Sequence, residues 1–136
     1  EVAMRKLAVA MALASMAAGA TAADWTLVIH GGAGVLERAK MTPERDKATR
    51  APLAASLKAG GDILDRGGTA LDAVEAAVRV LEDDPNFNAG RGAVFTAEGT
   101  NELDAAIMDG RDRRAGAVAR ATRTKNPISL ARAVME

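Results

Sequence analysis

The chain has no cysteine among its 136 residues. That excludes disulfides, thiolate zinc sites and a cysteine nucleophile within it, so its stability must come from packing or from a partner chain. Aromatic side chains are nearly as scarce: Trp25, Phe87 and Phe95 are all there are, and tyrosine is absent. The core must therefore be built of Ala, Val, Leu, Ile and Met. His30 is the lone histidine, and a lone histidine reads as a structural or loop-positioning side chain rather than a metal ligand or general base. Neither sign of charge dominates, since 18 basic side chains balance 18 acidic ones. A nucleic-acid footprint needs a basic stripe that neutralises phosphates. The nearest approach is Arg111, Arg113, Arg114, Arg120, Arg123 and Lys125, but Asp109 and Asp112 sit among its first members and no aromatic residue is interleaved for stacking. It reads as a solvated loop, and no nucleic-acid partner is expected.

What is present begins with an address label. Met4, Arg5 and Lys6 form a basic start, Leu7 to Ala18 is apolar without a polar face, and Ala20-Thr21-Ala22 fits the small-residue cleavage rule. Residues 1–22 are expected to be a secretory signal with Glu1 to Ala3 upstream of an initiator Met4, leaving a mature domain of residues 23–136 in the periplasm or beyond. The segment is too short for a stable bilayer anchor, so no membrane partner is expected.

Along the mature chain, Trp25 to His30 is a β-rich run that stops at Gly31, Gly32 and Gly34, as a strand feeding a tight turn would. Leu36 to Arg50 is polar and gives no assignment. A helix is predicted over Pro52 to Asp65, with Pro52 in its first turn and Gly60-Gly61 offering room for close packing. Thr69 predicts the N-cap of a second helix, whose stripe of Leu71, Val74, Val78 and Leu81 runs to Glu82 before Asp83, Asp84 and Pro85 stop it. Strands are expected at Gly92–Thr96, Glu102–Asp109 and Ala115–Ala119, the first two joined by a turn at Ala97–Asn101. Asn126 followed by Pro127 resembles an N-cap and first helical position, opening a helix over Ile128–Glu136. This order indicates an α+β or layered fold.

Several segments carry chemistry. Consecutive glycines after a strand, His30 to Gly34, expose main-chain N–H groups that can line an oxyanion site or admit a substrate. The loop Leu81 to Gly92, LEDDPNFNAGRG, leaves a helix and folds back, a geometry that aims carbonyl oxygens inward and suits a hard cation. Its adjacent aspartates lack the alternating spacing of a calcium loop. Asn88 offers an amide that donates and accepts at once. Glu102 and Asp104 lie two apart on one predicted strand face, so a paired-carboxylate glycosidase is conceivable on residue type alone. Asp109-Gly110 is most simply a turn.

Three of these segments, IHGGAG at Ile29 to Gly34, NAGRGAVFTAEGTNELDAAIMDG at Asn88 to Gly110 and KNPISLARAVME at Lys125 to Glu136, occur in matching order. Together they resemble the first half of the plant-type asparaginase and isoaspartyl peptidase family of N-terminal-nucleophile hydrolases. The resemblance implies an αββα four-layer sandwich of which only the N-terminal part is present. It also implies hydrolysis of β-aspartyl dipeptides and L-asparagine, autoproteolytic maturation, and a dimer of two-subunit protomers. His30, Gly31, Gly32 and Asn88 would line the active site. Main-chain oxygens of Leu81, Glu82, Asp84, Phe87, Ala89 and Arg91 would hold a structural sodium ion, and no organic cofactor is implied. The family's nucleophile is a threonine whose own α-amino group is the base, freed by cleavage just before it. That threonine lies beyond position 136, so no catalytic residue is assigned here, and the expected partner is the downstream β subunit. Two alternatives stay open. A serine hydrolase could use the HGG donors but would need a G-x-S-x-G elbow, which these residues lack, and a non-catalytic binding or scaffold domain would need no nucleophile.

Overall fold

The computed structural model describes residues 24–32 and 38–136. The expected signal segment, residues 1–22, lies outside the described residues, as do Ala33 and Gly34 of the glycine turn. Among the described residues there are three α-helices, α1 (Pro43–Asp65), α2 (Ala70–Glu82) and α3 (Pro127–Met135), and a two-stranded antiparallel sheet of β1 (Leu103–Met108) and β2 (Ala115–Ala121). Short 3-10 turns occupy Arg38–Lys40 and Gly90–Gly92. The molecule is thus an α+β unit.

Helix α1 begins nine residues before the start predicted for it. The signals lie in the stretch left unassigned: Thr42 Oγ1 accepts the Arg45 N–H at 3.2 Å, Pro43 fills the first turn, and Glu44 and Asp46 follow. Pro52 is therefore interior rather than near the start. Its missing N–H costs the helix one rung, a loss the packing of α1 against α2 tolerates. The helix ends in a Schellman turn, with Gly67 at φ +76° donating to Leu64 O at 2.9 Å and Gly68 donating to Ile63 O at 2.9 Å. One residue later Thr69 Oγ1 accepts the Asp72 N–H at 3.1 Å and starts α2, as its sequence predicts.

The two helices meet through small residues. A Cβ on Gly60 would come within 2.9 Å of Ala73 O, so the glycine pair does permit close packing. Nearby, the buried Ser56 hydroxyl donates to Ala77 O at 2.8 Å across the seam. The fully buried positions of α2 are accordingly Ala73, Ala77 and Glu82, while Leu71, Val78 and Leu81 are half-buried and Val74 is exposed. The expected apolar stripe is correct in direction and shifted by one row of residues.

Helix α3 lies on one face of the hairpin. Ile107, Ile128, Ala131 and Met135 form the buried cluster, with Leu71, Val78, Ala105 and Val118 packed against it. Gly116 permits this approach, since a Cβ there would lie 2.6 Å from Met135 N and would strike Ala131 O. The opposite sheet face, Asp104, Ala106 and Met108 with Ala115, Ala117 and Ala119, is exposed. The register slips between Leu103 and Ala105, where Asp104 faces two residues of β2.

Two predicted strands are not strands. Trp25–His30 is extended and alternates in burial, but it makes no ladder among the described residues. Its inward side chains rest on α1 instead, the Trp25 ring against Gly61 and Leu27 against Gly60. Gly92–Thr96 likewise forms no ladder: Gly92 closes a 3-10 turn, and residues 93–96 are tied by Asn101, whose Nδ2 donates to Ala93 O at 2.8 Å and Val94 O at 3.0 Å. The turn that follows is as expected, with Gly99 at φ +76°.

Candidate functional site

The HGG segment and the loop after α2 are brought together. A Cβ built on Gly31 would lie 3.1 Å from the Phe87 ring and 3.0 Å from Leu53, so the buried Phe87 side chain sits directly beneath the glycine turn. His30, Gly31 and Gly32 are exposed above it. A cavity of about 170 Å3 opens between this segment, α1 and α2, walled by Leu27, Ile29, Val78 and Leu81, with His30 and Ser56 among its lining residues. The Ser56 hydroxyl is spent on Ala77 O, which leaves the cavity largely apolar.

Asn88 lies on the same loop, exposed, with its Oδ1 accepting the Val94 N–H at 2.9 Å. Its amide oxygen thus fixes the path of the chain beyond the loop. The loop itself is wound by its own main chain. Asp84 N donates to Leu81 O at 3.3 Å, Phe87 N to Asp84 O at 3.4 Å, Ala89 N to Phe87 O at 2.8 Å and Gly92 N to Ala89 O at 2.9 Å. Asp84 Oδ1 holds the Asn86 N–H at 2.8 Å and its Nδ2 at 2.7 Å, so this carboxylate is occupied in shaping the turn. Gly90, at φ +47°, lies against Glu82 O, and Gly92 lies against Phe87 O. Any side chain at those two glycines would strike these oxygens. A carbonyl has two lone pairs, so one accepted hydrogen bond leaves a second for another partner. Among the described residues no three His, Asp or Glu side chains converge as a metal cluster, and the donors this loop offers are main-chain oxygens.

Glu82 carries a role that its sequence position conceals. The side chain is 3 % exposed, yet it is fully engaged: Oε1 accepts the Ile128 N–H at 3.0 Å and Oε2 accepts Asn126 Nδ2 at 3.0 Å. Burial pushes its carboxyl above the usual carboxylate range, and the two donors oppose that shift. Asn126 occupies the N-cap position of α3, as its sequence predicts, but its side chain makes no cap bond there. It is turned back onto Glu82 and Asp83, the latter at 3.2 Å. The free N–H of α3 is capped instead from α2 by Glu82. A carboxylate four residues after Val78 on a buried helical face must find donors, and that spacing was the available signal.

The remaining candidates are structural in this chain. Glu102 and Asp104 do share a face, where both grip Arg120: Glu102 accepts its guanidinium at 2.8 and 2.9 Å, and Asp104 Oδ1 accepts its main-chain N–H at 2.8 Å. Asp109 closes the hairpin turn, accepting Arg111 Nη2 at 2.6 Å and the Arg111 N–H at 3.0 Å. Those hydrogen bonds lower its pKa to about 2. Thr96 Oγ1 is 3.1 Å from Thr100 Oγ1 in the turn before β1. As internal residues these threonines have no free α-amino group to act as a base.

Comparison with known proteins decides the family. The model of the family described as Asparaginase matches residues 23–136. The chain belongs to the asparaginase family. Over 110 residues it is 56 % identical to a putative isoaspartyl peptidase/L-asparaginase of Dictyostelium discoideum, a match covering 81 % of this chain and 32 % of that protein. An isoaspartyl peptidase of Escherichia coli K12 is 48 % identical over 110 residues, 81 % of this chain and 34 % of that protein. A plant-type L-asparaginase of Pyrococcus abyssi is 47 % identical, with the same shares. The chain thus spans about a third of the length of these relatives, which are named as isoaspartyl peptidases or L-asparaginases.

Proposed function

We propose that this chain is the N-terminal part of a periplasmic isoaspartyl peptidase/L-asparaginase that hydrolyses β-aspartyl dipeptides and L-asparagine. The observation that carries the reading is the seating of the exposed His30-Gly31-Gly32 segment on Phe87 of the loop after α2, in a chain matched by the family from residue 23 to 136. Main-chain N–H groups of Gly31 and Gly32 are suited to receive developing oxyanion charge. Asn88, tied by its Oδ1, would present the other end of its amide to a neighbouring nucleophile. The nucleophile itself is a threonine in the downstream β subunit, exposed by autoproteolysis, which makes this chain the bulk of an α subunit in an αββα sandwich and a dimer of αβ protomers. The exposed sheet face of β1 and β2 suits it to pack in such a sandwich.

The loop 81–92 would hold a sodium ion through the carbonyls of Leu81, Glu82, Asp84, Phe87, Ala89 and Arg91, and Gly90 and Gly92, which let the chain fold back closely against Glu82 O and Phe87 O, suit it to that. Bound there, the ion would supply a fixed positive centre that keeps the loop's oxygens converged. Export would follow from residues 4–22.

The test is to purify the full-length protein and residues 23–136 separately and to measure ammonia release from L-asparagine and cleavage of a β-aspartyl dipeptide. The full-length protein is expected to split into two chains, the second beginning with threonine, and to hydrolyse one or both substrates. Residues 23–136 alone are expected to hydrolyse neither. Turnover by the shorter chain, or an intact inactive full-length protein, would overturn the reading.

A further inference from the structure

Glu82 acts in two directions from one residue. Its main-chain oxygen is packed against Gly90 inside the loop after α2, where a Cβ would strike it. Its side chain, 3 % exposed, points the other way and caps α3 through the Ile128 N–H at 3.0 Å. Ile128 is at the second position of α3, where an N–H has no partner within its own helix. A second strap runs beside the first. Asn126 Nδ2 bridges Glu82 Oε2 and Asp83 Oδ1 at 3.0 and 3.2 Å, and Lys125 Nζ reaches Asp83 Oδ2 at 3.0 Å. All the donors lie in the approach to α3 or its first turn, and both acceptors belong to the residues that open the loop. The peptide carbonyl and the side-chain arm of Glu82 share one Cα, so a main-chain shift that converges the loop oxygens also moves the cap. Burial makes the arm stiff, because a carboxylate that let go of these donors would be left unpaired away from water.

We propose that Glu82 couples cation binding in loop 81–92 to the docking of α3, with Asn126 as the positioning residue on the helix side. The inference rests on the reading that this loop holds a monovalent cation. Coupling is reciprocal: whatever the cation adds to the cap, the cap adds to cation affinity. Helix α3 contributes Ile128, Ala131 and Met135 to the buried cluster against the hairpin, so an ion at the loop would tighten a sheet whose residues it never touches.

The experiment follows the thermal midpoint of the full-length protein as sodium chloride replaces choline chloride at constant ionic strength. Wild type should rise in midpoint with sodium and saturate. Asn126→Ala, whose lost bonds go to two carboxylates rather than to loop carbonyls, should raise the half-saturating sodium concentration by about fivefold or more. A variant that melts lower in choline yet keeps its half-saturating concentration within about twofold of wild type shows a merely structural cap and overturns the coupling. A second measurement needs no variant: hydrogen exchange at the Ile128 amide should slow in sodium relative to choline. Unchanged exchange while sodium still raises the midpoint overturns the coupling and leaves the cation reading standing, whereas a wild type indifferent to sodium overturns both.

Discussion

Two segments with the same alternation of burial end up differently. Leu103–Met108 and Trp25–His30 both alternate in burial, although only the second is rich in residues that favour strands. The first is a strand because Ala115–Ala121 follows it across a tight turn and pairs with it, while α3 covers one face. The second rests its alternate side chains on the glycines of α1 and makes no ladder among the described residues. Alternation therefore reports a face that is half covered, whereas a ladder needs a partner at the right place in the chain. The C-terminal end is built from contacts its own sequence supplies, and the N-terminal end leans on helices.

The largest expected effect separates these regions from the protein they belong to. Val28, Val94, Phe95, Met108 and Val134 are exposed, and so is the sheet face formed by Ala106, Met108, Ala115, Ala117 and Ala119. Residues 23–136 expressed alone are expected to aggregate or to melt without cooperativity, and co-expression of the downstream segment should restore a soluble complex. A monodisperse monomer with a sharp thermal transition would contradict this and would favour a self-sufficient binding domain.

Within the full-length protein, the next effect compares two glycines. At Gly116 an added methyl meets main-chain atoms of α3, which cannot turn aside. Gly116→Ala should cost about 3 kcal/mol, read as a shift in the urea midpoint at constant slope. At Gly31 the same methyl meets the ends of Leu53 and Phe87 at 3.0 and 3.1 Å. Those side chains can give, so Gly31→Ala should cost about 1 kcal/mol or less while disturbing turnover more than stability. Equal losses at the two sites would mean that the N-terminal segment is as rigidly packed as α3.

Much of this is legible in the sequence, and the departures have two causes. Local chemistry located both helices around Thr69, both paired strands and the start of α3, because caps, prolines and turn glycines act within a few residues. The resemblance segments placed the HGG turn and Asn88 in one site, and the structure does bring Gly31 onto the loop that carries Asn88. The first cause is distance in sequence. Glu82 and Asn126 are 44 residues apart, and nothing local to Asn126 says that its amide will serve a carboxylate on α2 rather than its own helix. Pro52 misled for the opposite reason: its local preference for a helix start was real, and the packing of α1 on α2 overrode it.

A smaller effect appears with acid. Arg111 holds the Asp109 carboxyl below its ordinary 3.8, at about 2. A lowered folded pKa contributes stability that is fully present above 3.8 and is lost as pH falls toward 2. Asp109→Asn should therefore flatten the acid limb of the thermal midpoint across that window and leave the neutral region little changed. Persistence of the full slope in the variant would assign the acid limb to other carboxylates.

The smallest effect is the most specific, because it inverts a rule. Arg120 lies in β2 with φ +56°, in the left-handed region that favours glycine, opposite the register slip at Asp104. Its main-chain N–H is held by Asp104 Oδ1 and its guanidinium by Glu102. The first bond survives any substitution that keeps an N–H. The second belongs to a side chain 79 % exposed, where an ion pair contributes little. At an ordinary strand position glycine is less stable than alanine, through chain entropy and lost packing. At a bulge in this conformation alanine keeps the backbone strain that glycine relieves. Arg120→Gly should therefore melt above Arg120→Ala, by about 2 °C in the full-length protein, although both lose the same contact to Glu102. Alanine melting higher would show that residue 120 relaxes to an ordinary strand conformation once the guanidinium is gone, and that the Glu102 pair, not the bulge, sets its geometry.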